Sequence, residues 1–555
     1  MASPEFETLN ERMLDRLLEV NPDMATLMGR HVPYDHHLPH GGVKRLEDSL
    51  SILRDWISEA NRIADCGEFS RDQEISYEVL RMTLDLHAFA FSDYPIWKMH
   101  PDALEQPGWT IFTMLARDYA PFEDRIAGVS SRIDQLPRYL TQFRERFRNA
   151  RAVRPWTEAS LEGCEAFPAF LSSVRQISIG KVPRDLQKDL EDKCDACVDH
   201  IQSHREWLSG LLEEATNEFA LGEEKLIKLL QIRGFDLTPK EMLEIGERYL
   251  SKMRSMRDII ARKITPDGDI NVVTKIIRHN CADSFEGVLN ETIEETNKAL
   301  RFISEHKLAT LDDRAILDIL ETPKFLRHAL PVAALMAPAK FEETQRGAFL
   351  MTRPKDLEEI PSLWNRAMII NTAVHEAYPG HFLQGVMSNR MPWMHQLPHM
   401  LTTSDMLTPP YETGEGWAHY CEEMMYEEGF EANDQTAIAM LDAGIWRACR
   451  IIYDIKLHTE KATIEEMAEL LAKESNTVIS AAMDDVIGFS RTPAYPLSYL
   501  IGKHLVNELR DQLAAELGHA FDKMRFHDLL TENGNLPFHI VRQVIWEEMT
   551  SEREA

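Results

Sequence analysis

The chain has 555 residues, 44% apolar and 27% charged, an ordinary balance for a soluble globular protein and enough length for about two to four structural units. Its formal net charge of −30 argues against a nucleic-acid partner, which would present clustered Lys and Arg. Acidity on this scale serves solubility, although a confined cationic substrate stays open. The seven cysteines are odd in number and scattered, without the spacing of a disulfide framework. No run approaches the ~20 apolar residues of a membrane span. The N-terminal stretch MASPEFETLNERMLDRLLEV is acidic and amphipathic rather than signal-like, so a cytoplasmic location is expected.

Most of the chain carries apolar positions at three- and four-residue spacing with charged faces between them, which predicts helices. In chain order these are residues 5–20, 43–65, 70–92, 135–150, 185–219, 239–264, 284–307 and 434–458. Breaks carrying Pro or Gly punctuate them, as at His31-Val-Pro-Tyr, Gly41-Gly42 and Thr265-Pro-Asp-Gly. Within 185–219, Cys194-Asp-Ala-Cys197 lacks a second pair nearby and reads as two incidental helix cysteines. Residues 330–352 differ: short apolar runs interrupted by polar residues and a Gly predict two strands joined by a loop. A sheet edge there could hold an extended peptide by strand addition, or the hairpin is incidental. An N-terminal helical region, 1–235, and a C-terminal region carrying the chemistry, 236–555, are the expected units.

The chemistry concentrates in His375-Glu-Ala-Tyr-Pro-Gly-His381, after an apolar helical run (Ala367, Met368, Ile369, Ile370). In the H-E-x-x-H arrangement two histidines four apart share one helical face, and the intervening glutamate is the general base. Six residues of ideal helix would instead splay the rings by ~120° and about 9 Å along the axis. Pro379 withholds an N–H and displaces Tyr378 from helical geometry, while Gly380 tolerates positive φ. A break is therefore expected that swings His381 back toward His375. Downstream, Glu415 sits between glycines in Tyr411-Glu-Thr-Gly-Glu-Gly-Trp-Ala-His-Tyr-Cys-Glu-Glu423 and is the best third ligand. Glu422 lies two turns on along the same face and is placed to orient a histidine. His419 shares that face as a neighbour of the ligands or a substrate contact. Glu376 is the natural base. Further along, the helix bearing Arg447, Arg450, Asp454 and His458 presents either a face of ion pairs or a substrate-binding line. Arg491-Thr-Pro-Ala-Tyr-Pro-Leu-Ser-Tyr499 offers Tyr495 and Tyr499 as phenolic donors to an oxyanion and Arg491 as a fork for a substrate carboxylate.

These residues resemble the family called domain of unknown function 885, over most of the chain. Asn21-Pro-Asp-Met-Ala-Thr-Leu-Met-Gly-Arg-His-Val-Pro-Tyr-Asp35 is similar to its opening pattern. His375 to His381, Gln384, Glu415 to Glu422, the Arg450–Asp454–His458 helix and Leu497-Ser-Tyr-Leu-Ile-Gly502 follow in the family's order. The chain departs where Tyr495 stands in place of the family's glutamine and where Asp454-Ile-Lys456 replaces Asp-Thr-Gly. The resemblance implies a mainly α fold like the zincin metallopeptidases with a glutamate third ligand, with a small sheet edge beside the metal helix and a deep central cleft. It implies His375, His381 and Glu415 as ligands of one zinc ion, Glu376 as base and Tyr499 as the oxyanion donor. The expectation is a zinc hydrolase cleaving short peptides, of carboxypeptidase, dipeptidase or oligopeptidase type. Asp454 and Glu422 would support the centre, and His419, Arg491, Tyr495 and His458 would meet substrate. A hydrolase of a non-peptide amide or ester and a non-catalytic helical binding protein are the alternatives, and a homodimer is left open.

Overall fold

The computed structural model describes residues 3–551 except 68, 329, 331, 402–405 and 460–461. The fold is mainly α, with one three-stranded sheet among the described residues. The periodic segments fold as the sequence predicts: Pro4–Val20, Lys44–Ala64, Arg71–Ala88, Arg184–Glu213, Pro239–Ile264, Phe285–His306 and Asp434–Thr459 are helices. Their starts carry the expected chemistry. Thr238 and Glu241 form a capping box, and the Asn365 side chain accepts from the Met368 N–H at 3.1 Å. Of the segment predicted at 135–150, residues 135–144 belong to a longer helix, Phe122–Arg144, that carries Pro137 inside it, and a 3-10 turn, Glu145–Phe147, follows. A proline there reads as a boundary, yet the packing of Ile126, Val129, Ile133, Leu136 and Leu140 into one apolar cluster carries the helix through. Cys194 and Cys197 are buried free thiols, pushed by burial up to about 11 and about 12 respectively, which makes them inert. Among the described residues no helix is long and apolar enough to cross a membrane.

The hairpin expected in 330–352 is present as β2 (Ala333–Met336) antiparallel to β3 (Gln345–Met351). A third strand, β1 (Ala315–Glu321), lies parallel to β3 on its other side, so β2 is an edge. Gly347 in β3 brings the sheet against the helix His381–Ser388: a Cβ there would stand 3.0 Å from the Phe382 ring. Phe349 and Met351 sit in the largest apolar cluster, which joins the N-terminal Phe6, Leu9 and Trp56 to Trp364, Phe382, Trp417 and Val541. Residues before and after position 235 thus share one core.

Two close helix contacts set the walls of the interior. Gly416, in helix Glu412–Glu427, and Gly502, in helix Ser498–Leu517, face each other: a Cβ on Gly416 would lie 2.4 Å from the Gly502 carbonyl carbon, and one on Gly502 2.2 Å from the Glu412 oxygen. Backbone meets backbone here, so Glu415 and Tyr499 share one wall. Gly444, in the helix Asp434–Thr459, instead makes room for a side chain: a Cβ there would fall 2.6 Å from Met253 Sδ. A fully buried ion pair, Arg233 to Glu412 at 2.6 Å, with Arg233 also donating to Ser498 Oγ at 3.0 Å, ties the start of the Glu415 helix to the start of the Tyr499 helix.

Candidate metal centre

The helix Arg366–Glu376 ends at Glu376, and a new one begins at His381. Between them the chain doubles back. The Ala377 and Tyr378 N–H groups both donate to the Ala373 carbonyl, at 2.9 and 3.3 Å, and the Gly380 N–H reaches the Val374 carbonyl at 3.1 Å. The Tyr378–Pro379 peptide bond is cis, and the Trp417 indole N–H pins the turn through the Pro379 carbonyl at 2.9 Å. Gly380 is required for a different reason from the one its flexibility implies. Its φ is −65° rather than positive, with ψ at −136°, and a Cβ would stand 1.8 Å from the His375 carbonyl oxygen. The turn brings the His375 and His381 rings to 4.8 Å between centroids, nearly perpendicular at 86°.

Glu415 meets them from the neighbouring helix. Its Oε2 lies 3.0 Å from His381 Nε2 and 3.4 Å from His375 Nε2. One ligand atom from each of the three buried side chains falls within 4.8 Å of the others. Donors of one tetrahedral zinc at ~2.1 Å would be roughly 3.4 Å apart; the His375–Glu415 separation of 3.4 Å matches that value, and the His381–Glu415 separation, at 3.0 Å, is shorter. The far side of His375 is also fixed: Nδ1 donates to Glu422 Oε1 at 2.7 Å, which turns Nε2 toward Glu415. Burial alone would lower His375, but Glu415 and Glu422 outweigh it and carry it up to about 9. Burial would likewise raise Glu415, yet His381 and His375 hold it well below the usual carboxylate range. Glu376, Glu415 and Asp485 line the cavity with Arg447 and Arg450, and Glu422 supports it from behind. A histidine that ligates a metal does so as the neutral imidazole; counted in that form, four carboxylates and two guanidiniums leave two negative charges for a divalent cation to balance. In donor type, spacing, burial and charge these residues fit zinc.

Around the centre is a cavity of about 360 Å³, bordered by Asn371, His375, Glu376, His381, Tyr411, Glu415, Trp446, Arg447, Arg450, Tyr495 and Tyr499 and by β2 residues Ala333, Ala334 and Leu335. Glu376 has no hydrogen bond or ion pair with the described residues, unlike its three acidic neighbours. The Tyr495 hydroxyl donates to Glu415 Oε1 at 2.6 Å, so this tyrosine holds the proposed ligand instead of awaiting substrate. Tyr499 stacks near His375 at 6.3 Å, and burial together with Glu415 keeps its phenol protonated. The Arg450 guanidinium lies 4.4 Å over the Tyr499 ring and is held by Asp485 at 2.6 Å.

Three residues expected at substrate are elsewhere. Arg491 is not brought to the cavity, because its Nη1 is engaged by Glu105 and by His100 Nε2, both at 3.1 Å. His458 is fully buried, its ring 5.8 Å from Phe219, and burial lowers it to about 3. His419, also fully buried, lies in the Glu415 helix itself, 3.3 Å from Glu422, and does not border the cavity. Asp454 acts at a distance. It accepts the Ala494 N–H at 3.1 Å, and Ala494 has a φ of 67°, so the aspartate steadies the turn that presents Tyr495 to Glu415.

Sequence reasoning missed Tyr411 and Asp485. Tyr411 borders the cavity and stacks on His381 at 5.8 Å and 13°. Its signal was its place immediately before the Glu412–Glu427 helix, one turn from Glu415. Asp485, 35 residues from Arg450, left none.

A family model described as bacterial protein of unknown function (DUF885) matches residues 22–545. The chain belongs to that family. No curated protein matches it. Two solved structures share the DUF885 chain's fold. One, from Shewanella oneidensis, is described as a "putative lipoprotein of unknown function", with a TM-score of 0.75 at 20% identity over 99% of this chain and 100% of its own. The other, a "putative lipoprotein" from Colwellia psychrerythraea, has a TM-score of 0.83 at 17% identity over 99% of both chains.

The Glu422 contact makes an expected result. Glu422→Gln should weaken zinc binding about 10–100-fold, read by titration against a competing chelator, with the helix content unchanged. Equal affinity in the variant would show that His375 needs no such orientation.

Proposed function

We propose that the chain is a zinc-dependent hydrolase, zincin-like in its chemistry, whose substrates are short peptides. The convergence of His375, His381 and Glu415 beside the unengaged carboxylate of Glu376 carries this reading. When bound, zinc supplies Lewis acidity for a carbonyl and lowers the pKa of water toward 7. Glu376, adjacent to a ligand and bordering the cavity, takes the proton of the attacking water and later passes it to the leaving amine. Tyr499, held neutral, donates its hydroxyl hydrogen to the developing oxyanion. Tyr495 and Glu422 keep Glu415 and His375 in position. The peptide preference rests on β2, whose open edge borders the same cavity and can pair with an extended chain.

The reading is tested by presenting the zinc-loaded protein with peptides, acyl amides and esters, with and without a chelator. Chelator-sensitive peptide cleavage is expected. Turnover confined to amides or esters would move the substrate class, and no turnover with zinc bound would favour a binding protein. The cytoplasmic location rests on the sequence alone. The lipoprotein descriptions belong to the two similar structures, and fractionation of the native host decides.

A further inference from the structure

A second cavity, of about 280 Å³, lies on the other side of His381. Ala337, His381 and Tyr411 border both cavities, so the centre stands between two chambers. β2 and its continuation link them: Ala333, Ala334 and Leu335 border the first, Met336 and Pro338 the second, and Ala337 both. Residues 333–337 extend for about 16 Å at ~3.3 Å per residue, long enough to accompany four or five residues of an extended chain across the centre.

The charges at either end bear on what such a chain carries at its own ends. An exopeptidase that reads a terminal carboxylate needs a cation free to meet it. In the first chamber Arg447 is paired with Glu422 at 3.2 Å and Arg450 with Asp485 at 2.6 Å. In the second, Lys340 donates to the Asn389 and Met391 carbonyls, at 2.5 Å to each. Arg117 donates there to the Leu27 and Ala337 carbonyls at 2.9 and 2.7 Å and lies 3.5 Å from Glu342. His399 donates to the Asn535 carbonyl at 3.2 Å. Among the described residues bordering either chamber, every arginine and lysine already has a carboxylate or carbonyl partner, and only Arg447 Nε and Arg117 Nε are buried without one. The remaining walls of the second chamber are rich in Met24, Met28, Met400 and Trp109, which suit apolar side chains.

Resting on the zinc peptidase reading, we infer that the enzyme is an endo-acting oligopeptidase: it takes an extended peptide through both chambers and cuts within it, without reading a terminal carboxylate. Hydrolysis consumes one water per bond cut, the new carboxyl forming on one product and the amine on the other.

The test uses the zinc-loaded full chain and an apolar octapeptide, once with free termini and once acetylated and amidated, together with dipeptides of the same residues. Products are read by mass spectrometry. The capped octapeptide is expected to be cut internally with a kcat/KM within ~3-fold of the free one, and dipeptides to be at least ~100-fold poorer. Stepwise release of C-terminal residues with the capped peptide resistant, or efficient dipeptide cleavage, would overturn endo-action while leaving the peptidase standing. Hydrolysis of no peptide would overturn both. Gly385 borders the second chamber, and a Cβ there lies 3.1 Å from Pro338 Cδ. Gly385→Leu should therefore lower kcat/KM for the octapeptide by ~10-fold with one zinc retained. Unchanged kcat/KM in a variant that still binds zinc would remove the second chamber from substrate binding.

Discussion

Glu376→Gln is expected to lower kcat by roughly 10²–10⁴-fold, the usual worth of a positioned general base, and to leave zinc content unchanged. The substitution keeps size and shape but removes the proton acceptor. Glu376 is the suitable place for it because its carboxylate borders the cavity and is not engaged by the described residues, so no ion pair is broken. Glu415 and Glu422 would not separate the roles in this way, since both also hold histidines. The measurement is steady-state turnover beside metal analysis of the same preparation. Full activity in Glu376→Gln would remove this residue from the mechanism, and loss of zinc would make it a structural part of the centre.

Gly380→Ala is expected to be the most disruptive single methyl group in the chain. An added Cβ 1.8 Å from the His375 carbonyl oxygen cannot be accommodated by a side-chain rotation, because the obstacle is backbone. The turn must open, and His381 moves with it. The expected result is loss of about 3 kcal/mol of stability and zinc affinity weaker by ~100-fold or more. Gly210 is the natural control, lying in the helix Arg184–Glu213 with nothing within 4 Å of an added Cβ. Gly210→Ala should raise stability by about 0.5–1 kcal/mol. Denaturant unfolding and zinc titration of both variants check the contrast. A Gly380→Ala protein with native stability and affinity would mean that the turn does not set the histidine spacing.

The parts of the molecule legible in its sequence are those written in short-range pattern. Amphipathic period placed the long helices, and the Pro379-Gly380 break foretold that His381 would fold back on His375. The glycines beside Glu415 serve close packing: Gly416 meets Gly502 and Gly414 meets the Tyr411 ring. β1 was missed because Ala315-Ile-Leu-Asp-Ile-Leu-Glu321 has no clean alternation. Its residues are half-buried on both faces, apart from exposed Ile316. Arg491 was misplaced for a related reason. A lone arginine near two cavity tyrosines looks like a substrate anchor until Glu105, 386 residues away in sequence, is seen to hold it. The Arg233–Glu412 pair spans 179 residues and was equally invisible. Pairings of this kind depend on how helices stack, and no local spacing records them.

The proposed chemistry requires His375, His381 and Glu415 to hold one zinc ion together. Its most direct test is the metal stoichiometry of the purified chain after chelation and reloading, for the unmodified protein and for His381→Ala. One zinc per chain is expected, lost in the variant. A chain that takes up no stoichiometric zinc, or a His381→Ala variant that binds it undiminished, would contradict it.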